Sequence, residues 1–194
     1  MKSQVTTKKG DLGTTRTLAG DVLSKADPVI ECSGWLDALR AHIALLRLNI
    51  LQQTPEDHEQ LADFLLWLLH CFFLIGAEVN DPSKKKPKFR YDIISPKHLE
   101  KLETEQRRLE DKVRLPHAFI VSAATELAAE ADVATTAART FERSLVRLKE
   151  AVPEFEAAAL LAFMNRLSDY LFILARHLDA GHYHIVDYSR LDRE

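Results

Sequence analysis

The chain has 194 residues, of which 46% are hydrophobic and 28% charged, and its formal net charge is −3. That length accommodates one domain with a sizeable core, and the composition is that of a soluble globular protein. A near-neutral balance gives no overall reason to seek nucleic acid or an anionic membrane as partner.

The N-terminal segment Thr7-Lys8-Lys9-Gly10-Asp11-Leu12-Gly13-Thr14-Thr15-Arg16 is glycine-punctuated, hydroxyl-rich and basic. Glycines let the backbone turn and approach a ligand, while hydroxyls, exposed N–H groups and cations suit a polyphosphate. A frayed, solvated terminus has the same composition, so both readings stand on these residues alone. Met1 to Thr17 holds no apolar core segment of the kind a secretory signal needs, and no such signal is expected.

A first helix is predicted from about Pro28 to Gln53, where Trp35, Leu36, Leu39, Ile43, Leu46 and Ile50 recur at helical spacing as one apolar stripe. Pro55 at a first turn opens a second helix ending near Glu78. Its Phe64 to Ala77 run carries no formal charge but falls short of the roughly 18 residues that span a bilayer, and is read as a buried helix. Asn80 to Ser95, with Pro82, Pro87 and three lysines at 84 to 86, is read as a solvated loop. Ser95-Pro96 starts a third helix to about Val113, with Leu99, Leu102, Leu109 and Val113 on its inner face. A fourth runs from about Ala123 to Ala151, and a fifth, after Pro153, from Glu154 to Leu178. From Gly181 the tail is rich in aromatics, histidines and charge, and is expected to be partly mobile or to dock on a neighbour.

No segment alternates at period two for long enough to make a sheet, and no internal repeat is present. The expected fold is therefore all-α, a five-helix up-and-down bundle in one domain. Cys32 and Cys71 both sit in apolar helical contexts without CxxC or Cys/His spacing, which argues against zinc and for a reducing cytoplasm.

Three groups of side chains carry candidate chemistry. On the fourth helix Arg139, Glu142 and Arg143 share one face at spacings of three and four, either as a solvated ion-pair stripe or as an anion site in which the carboxylate orients two guanidinium forks. On the fifth helix Asn165, flanked by Phe163, Leu167 and Leu171, needs hydrogen-bond partners if buried, as a satisfied core amide would have them. His42, His58, His70, His98 and His117 are scattered and form no ligand pair on one helix face; His177, His182 and His184 cluster near Asp179 and Asp187, a weak metal motif, and no metal site is assigned.

Taken together, TKKGDLGTTR, VLSKADP, the Gly34 to Leu39 stretch, Phe119-Ile120, RTFER and NRLSDYLFILARH resemble the PduO-type ATP:corrinoid adenosyltransferases over nearly the whole chain, in order and spacing. The family converts cob(I)alamin and ATP to adenosylcobalamin. The resemblance implies a homotrimer with ATP, accompanied by Mg²⁺, held between adjacent subunits. Thr7, Lys8, Lys9, Gly10, Thr15 and Arg16 would wrap the triphosphate together with Lys25; Arg139, Glu142 and Arg143 would complete the site, and Asn165 would reach the nucleotide. Phe119 matches the aromatic residue that excludes the lower axial ligand of the corrinoid, a corrinoid reductase is an expected partner, and the His-rich tail is a candidate corrinoid contact.

The chain also departs from that pattern. Ser122-Ala123-Ala124 stands where the family has Pro-Gly-Gly, Thr135 and Thr140 stand where it has arginines, and Asp37-Ala38-Leu39-Arg40 stands for Asp-Glu-Leu-Asn. By resemblance the arginine missing at 135 pairs with Asp37, and Arg40, three residues on, is positioned to replace its charge. Two functions follow: an adenosyltransferase, or a weakened paralogue that binds ATP or corrinoid as a carrier or sensor.

Overall fold

A computed structural model describes residues 6–53, 57–85, 92–182 and 184–191; Pro55, Lys86, Pro87 and the last three residues lie outside that set. Helix α1 (Pro28–Gln52) begins where Asp27 Oδ1 accepts from Val29 N at 2.9 Å, with Pro28 in the first turn. It is followed by α2 (Asp57–Val79), α3 (Pro96–Glu110), α4 (Glu126–Ala151) and α5 (Ala158–Leu178). The all-α expectation of five helices holds, and the differences lie at the ends. Helix α4 starts three residues later than Ala123 because Thr125 Oγ1 caps it, accepting from Ala128 N at 3.2 Å. Residues 153–157 form a turn rather than the start of α5, with Phe155 N donating to Val152 O at 2.9 Å and Phe155 itself buried.

One element was not expected. Strands β1 (Thr14–Arg16) and β2 (Val22–Ser24) pair antiparallel, Thr15 opposite Leu23, so the N-terminal segment is a small hairpin rather than only a loop. Three residues are too few for a period-two pattern to stand out. Gly20 closes the turn at φ 93°, a conformation that glycine adopts without a Cβ penalty.

The helices alternate in direction. Helix α4 packs on both α1 and α5, α1 on α2, and α3 on α5. Arg147 meets Glu31 and Glu130 meets Asn49, so α1 and α4 are antiparallel. Rings of Phe64 and Tyr170, with centroids 5.0 Å apart, and of Trp67 and Phe163, 6.4 Å apart, close α2 onto α5. One end of the bundle therefore carries the start of α1 and the end of α4; the other carries the start of α4 and the end of α5.

The predicted stripe on α1 is buried at Leu36, Leu39, Ile43, Leu46 and Ile50, whereas Trp35 is 40% exposed, because a residue next to Leu36 in a helix points about 100° away. Tyr170, Phe72, Phe141 and Phe163 are the largest fully buried side chains, each contributing on the order of 3–5 kcal/mol against truncation to Ala. The α2 segment His58–Val79 is longer than its charge-free run and, like α5, is apolar enough by length to cross a membrane; half of each window is buried inside the bundle, which accounts for that apolarity.

Cys32 and Cys71 are free and buried. Burial pushes Cys32 up to about 12, against a smaller opposing hydrogen bond from Ser144 Oγ at 3.4 Å, and pushes Cys71 up to about 11. Both thiols should resist a disulfide reagent at pH 8 in the native protein and react fully in denaturant; prompt native reaction at either site would contradict the packing. Because burial raises both values above the ordinary 9.0, this stabilisation is complete below pH 9 and is lost as pH rises toward 11 and 12.

Candidate functional site

At the end of the bundle where α1 begins, the N-terminal segment folds back on itself. Gly13 N donates to Gly10 O at 3.2 Å and Lys25 N to Gly13 O at 2.9 Å, so Lys25 is stitched to the segment by its backbone. A Cβ at Gly10 would sit 3.3 Å from Lys25 Nζ and 3.3 Å from Thr14 O, so the glycine lets the ammonium lie close against the strap where a side chain would make it give way by a few tenths of an ångström. Gly13 takes φ 81°. Thr7, Lys8, Lys9 and Arg16 are exposed and Thr15 half-buried, leaving hydroxyls and cations turned to solvent. Arg16 Nη1 also donates to Gly20 O at 2.9 Å, and Asp21 pairs with Lys85 at 3.0 Å, which ties the hairpin turn to the segment after α2. The turn covers a cleft of about 300 Å³ lined by Thr17, Leu23, Asn80, Lys85 and Val152.

Midway along the bundle, α4 and α5 present a second polar face. Asn165 is exposed, and its Nδ2 donates to Glu142 Oε1 at 3.4 Å, so it is no buried core amide. Arg139 is exposed, and among the described residues no hydrogen bond or ion pair engages its guanidinium. Arg143 Nη2 donates to Thr140 Oγ1 at 2.9 Å, and Thr140 Oγ1 donates to Thr136 O. The threonine at 140 thus braces Arg143 instead of supplying a cation. Thr135 is buried, with its hydroxyl spent on Ala131 O at 2.8 Å. Asp37, by contrast, is exposed on α1 and pairs with Arg40 Nη1 at 2.9 Å, while the Arg40 guanidinium lies 4.5 Å from the Phe73 ring centroid.

At the opposite end, Phe119 is 78% exposed. Its neighbours pair with the C-terminal tail: Val121 N donates to His184 O and Val186 N to Phe119 O, both at 2.8 Å, around the Ile120–Ile185 bridge. Residues 184–186 of the tail thus pair with the Phe119–Val121 stretch of their own chain. Among the described residues no three His, Cys, Asp or Glu side chains converge on a metal position, the His177–Asp187 cluster included.

Within one chain these pieces stay apart. No hydrogen bond or ion pair among the described residues joins the strap to Arg139, Glu142, Arg143 or Asn165. At 1.5 Å per residue, Arg139 lies about 20 Å along α4 from the strap end and about as far from the Phe119 end. Sequence reasoning missed Asp132 and Arg176 and read Asp179 only as part of a weak metal motif, whereas the three hold the segment after Phe119; the available signal was a charged Arg176/Asp179 pair at spacing three closing the apolar run from Tyr170 to Ala175.

The fold and these faces define an all-α five-helix bundle with a cationic N-terminal strap. Its relatives are consistent. A family model described as cobalamin adenosyltransferase matches residues 5–178. The corrinoid adenosyltransferase PduO of Salmonella typhimurium is 35% identical over 175 residues, covering 90% of this chain and 49% of that protein. A cobalamin adenosyltransferase of Cupriavidus metallidurans is 30% identical over 177 residues, covering 91% and 89%. A solved Phe→His variant of a PduO-type ATP:corrinoid adenosyltransferase from Lactobacillus reuteri, complexed with cobalamin and ATP, matches with a TM-score of 0.82 at 25% identity, over 95% of this chain and 96% of that one. The chain belongs to the cobalamin adenosyltransferase family. It spans about half the length of the PduO relatives it matches, which are 49% covered.

Proposed function

We propose that the protein transfers the 5′-deoxyadenosyl group of ATP to cob(I)alamin or a related corrinoid and releases triphosphate, as a homotrimer whose sites form between protomers. The observation that carries this reading is the division of one chain into a solvent-facing cationic strap at one end and an outward polar face around an unpaired Arg139 midway along the bundle. One protomer's strap meeting its neighbour's α4–α5 face would place cations on both sides of one triphosphate.

The chemistry matches those residues. Cobalt(I) attacks the ribose C5′, the cobalt–carbon bond forms as the C5′–oxygen bond breaks, and negative charge grows on the departing triphosphate. Lys25, Lys8, Lys9 and Arg16 would meet that charge from the strap, Arg139 and Arg143 from α4, with Glu142 and Asn165 holding each other in orientation. No group of three acidic or imidazole ligands converges among the described residues, so Mg²⁺ would enter as MgATP, held through the phosphates. Phe119, exposed and apolar, would wall the lower face of the corrinoid and keep water from its cobalt. A corrinoid reductase would supply the cobalt(I) state, and the two free, buried cysteines suit a reducing cytoplasm.

A second reading, a binding protein without useful turnover, draws on Thr135 and Thr140, neither of which supplies a cation. An anaerobic assay with cob(I)alamin and MgATP separates the two: formation of the cobalt–carbon bond supports transfer, and calorimetric ATP binding without product supports the carrier.

The Asp37–Arg40 pair gives a narrower test. Both side chains are substantially exposed, 72% and 35%, so the pair contributes at most about 1 kcal/mol to folding. If Arg40 replaces the family arginine in function, Arg40→Ala and Asp37→Ala should lower kcat/KM equally, with the double variant no worse than either. Full activity in Arg40→Ala would remove that role.

A further inference from the structure

The α4–α5 seam near Phe119 holds a charge cluster that the reading above does not use. Arg176, 2% exposed, donates from Nη2 to Asp132 Oδ2 at 2.7 Å and lies 3.4 Å from Asp179 Oδ2. Asp179 is fully buried, and its Oδ1 accepts from Ala124 N at 2.9 Å and Thr125 N at 3.1 Å. Ser122 Oγ donates to Asp132 Oδ2 at 3.1 Å.

These bonds converge on the backbone just after Phe119. One guanidinium orients two carboxylates, and the two carboxylates hold Ser122, Ala124 and Thr125. On its other side the Phe119–Val121 stretch is paired with residues 184–186 of the tail. The alanines at 123 and 124 have less backbone freedom than glycines, so a few bonds suffice to define their path. The Ser122 hydroxyl makes a bond that a proline at this position would lack.

We propose that Arg176, Asp132 and Asp179 are positioning residues that set where Phe119 stands against the corrinoid. They touch no substrate and act through the Ser122–Thr125 backbone. This rests on the reading that Phe119 walls the lower face of the corrinoid. The buried guanidinium suits the task because its Nη2 sits between the two carboxylates, 2.7 Å from Asp132 Oδ2 and 3.4 Å from Asp179 Oδ2, and so ties α4 to the end of α5.

The test uses the full chain with MgATP and cob(II)alamin, measuring the four-coordinate fraction by electron paramagnetic resonance, together with kcat and KM for ATP. Asp132→Asn and Arg176→Lys should each lower the four-coordinate fraction and reduce kcat roughly ten- to a hundred-fold, the usual scale of a small misplacement at a reacting centre. KM for ATP should change by no more than about twofold, since the strap is at the far end of the bundle. Ser122→Ala, at an exposed position that folding does not need, should give a smaller loss in the same direction, and it decides the matter alone if the other two fail to fold. Phe119→Ala separates the two layers. An undiminished four-coordinate fraction in Phe119→Ala sinks the corrinoid-wall reading itself. Loss in Phe119→Ala, with wild-type values in Asp132→Asn, Arg176→Lys and Ser122→Ala, overturns the positioning role and leaves the wall intact, as does a parallel rise in KM for ATP.

Discussion

Arg139→Ala should reduce kcat by about 10²- to 10³-fold, equivalent to roughly 2.7–4 kcal/mol of transition-state stabilisation, and leave thermal stability essentially unchanged. The two halves of that expectation come from one observation: Arg139 is exposed, and no partner among the described residues engages it. A guanidinium with no structural task is free to follow the charge that develops on triphosphate. Arg139→Lys keeps the charge but loses the planar fork, and should recover only part of the rate. Single-turnover adenosylation under anaerobic conditions, beside a thermal melt, reads both quantities. Wild-type kcat in Arg139→Ala would make the α4 face a solvated charge stripe and remove it from the site.

Mixing two inactive variants should restore activity. Lys25→Ala removes a cation from the strap and Arg139→Ala one from α4, and each variant alone should be severely impaired. In randomly mixed trimers about a quarter of the sites combine an intact strap with an intact neighbouring α4 face, so activity should return to about that fraction of wild type. The strap and the α4 face make no polar contact within a chain among the described residues, which is the structural basis for expecting the combination across protomers. Co-expression followed by unfolding and reassembly, with sedimentation to verify the trimer, makes the measurement direct. No recovery in trimers shown to be mixed would place both halves of the site within single chains.

The helices were legible because their cause is local. Leu36, Leu39, Ile43, Leu46 and Ile50 recur with the period of the helix itself, and Asp27-Pro28 starts α1 by bonds that reach only two residues ahead. Where an end depends on something distant, local reading slips. Helix α4 begins at Glu126 rather than Ala123, and the N–H groups of Ala124 and Thr125 are held by Asp179, 55 and 54 residues further along the chain at the end of α5. Asn165 illustrates the same limit from the other side: apolar neighbours at helical spacing suggested burial, yet its rotation about the α5 axis turns it to solvent and toward Glu142.

Residue types, by themselves, were enough to mark the bundle, the cationic hydroxyl-rich strap and the R-x-x-E-R face, because periodicity, backbone freedom and charge are properties of short stretches of chain. Which groups meet was decided by the tertiary structure alone. The hairpin of three-residue strands, the docking of Ile185 on Ile120 and the contact of Arg176 with Asp132 each depend on orientation or on segments far apart in the chain. Such contacts form only once packing has brought the elements together, and no local pattern of residues encodes a distance between two helices.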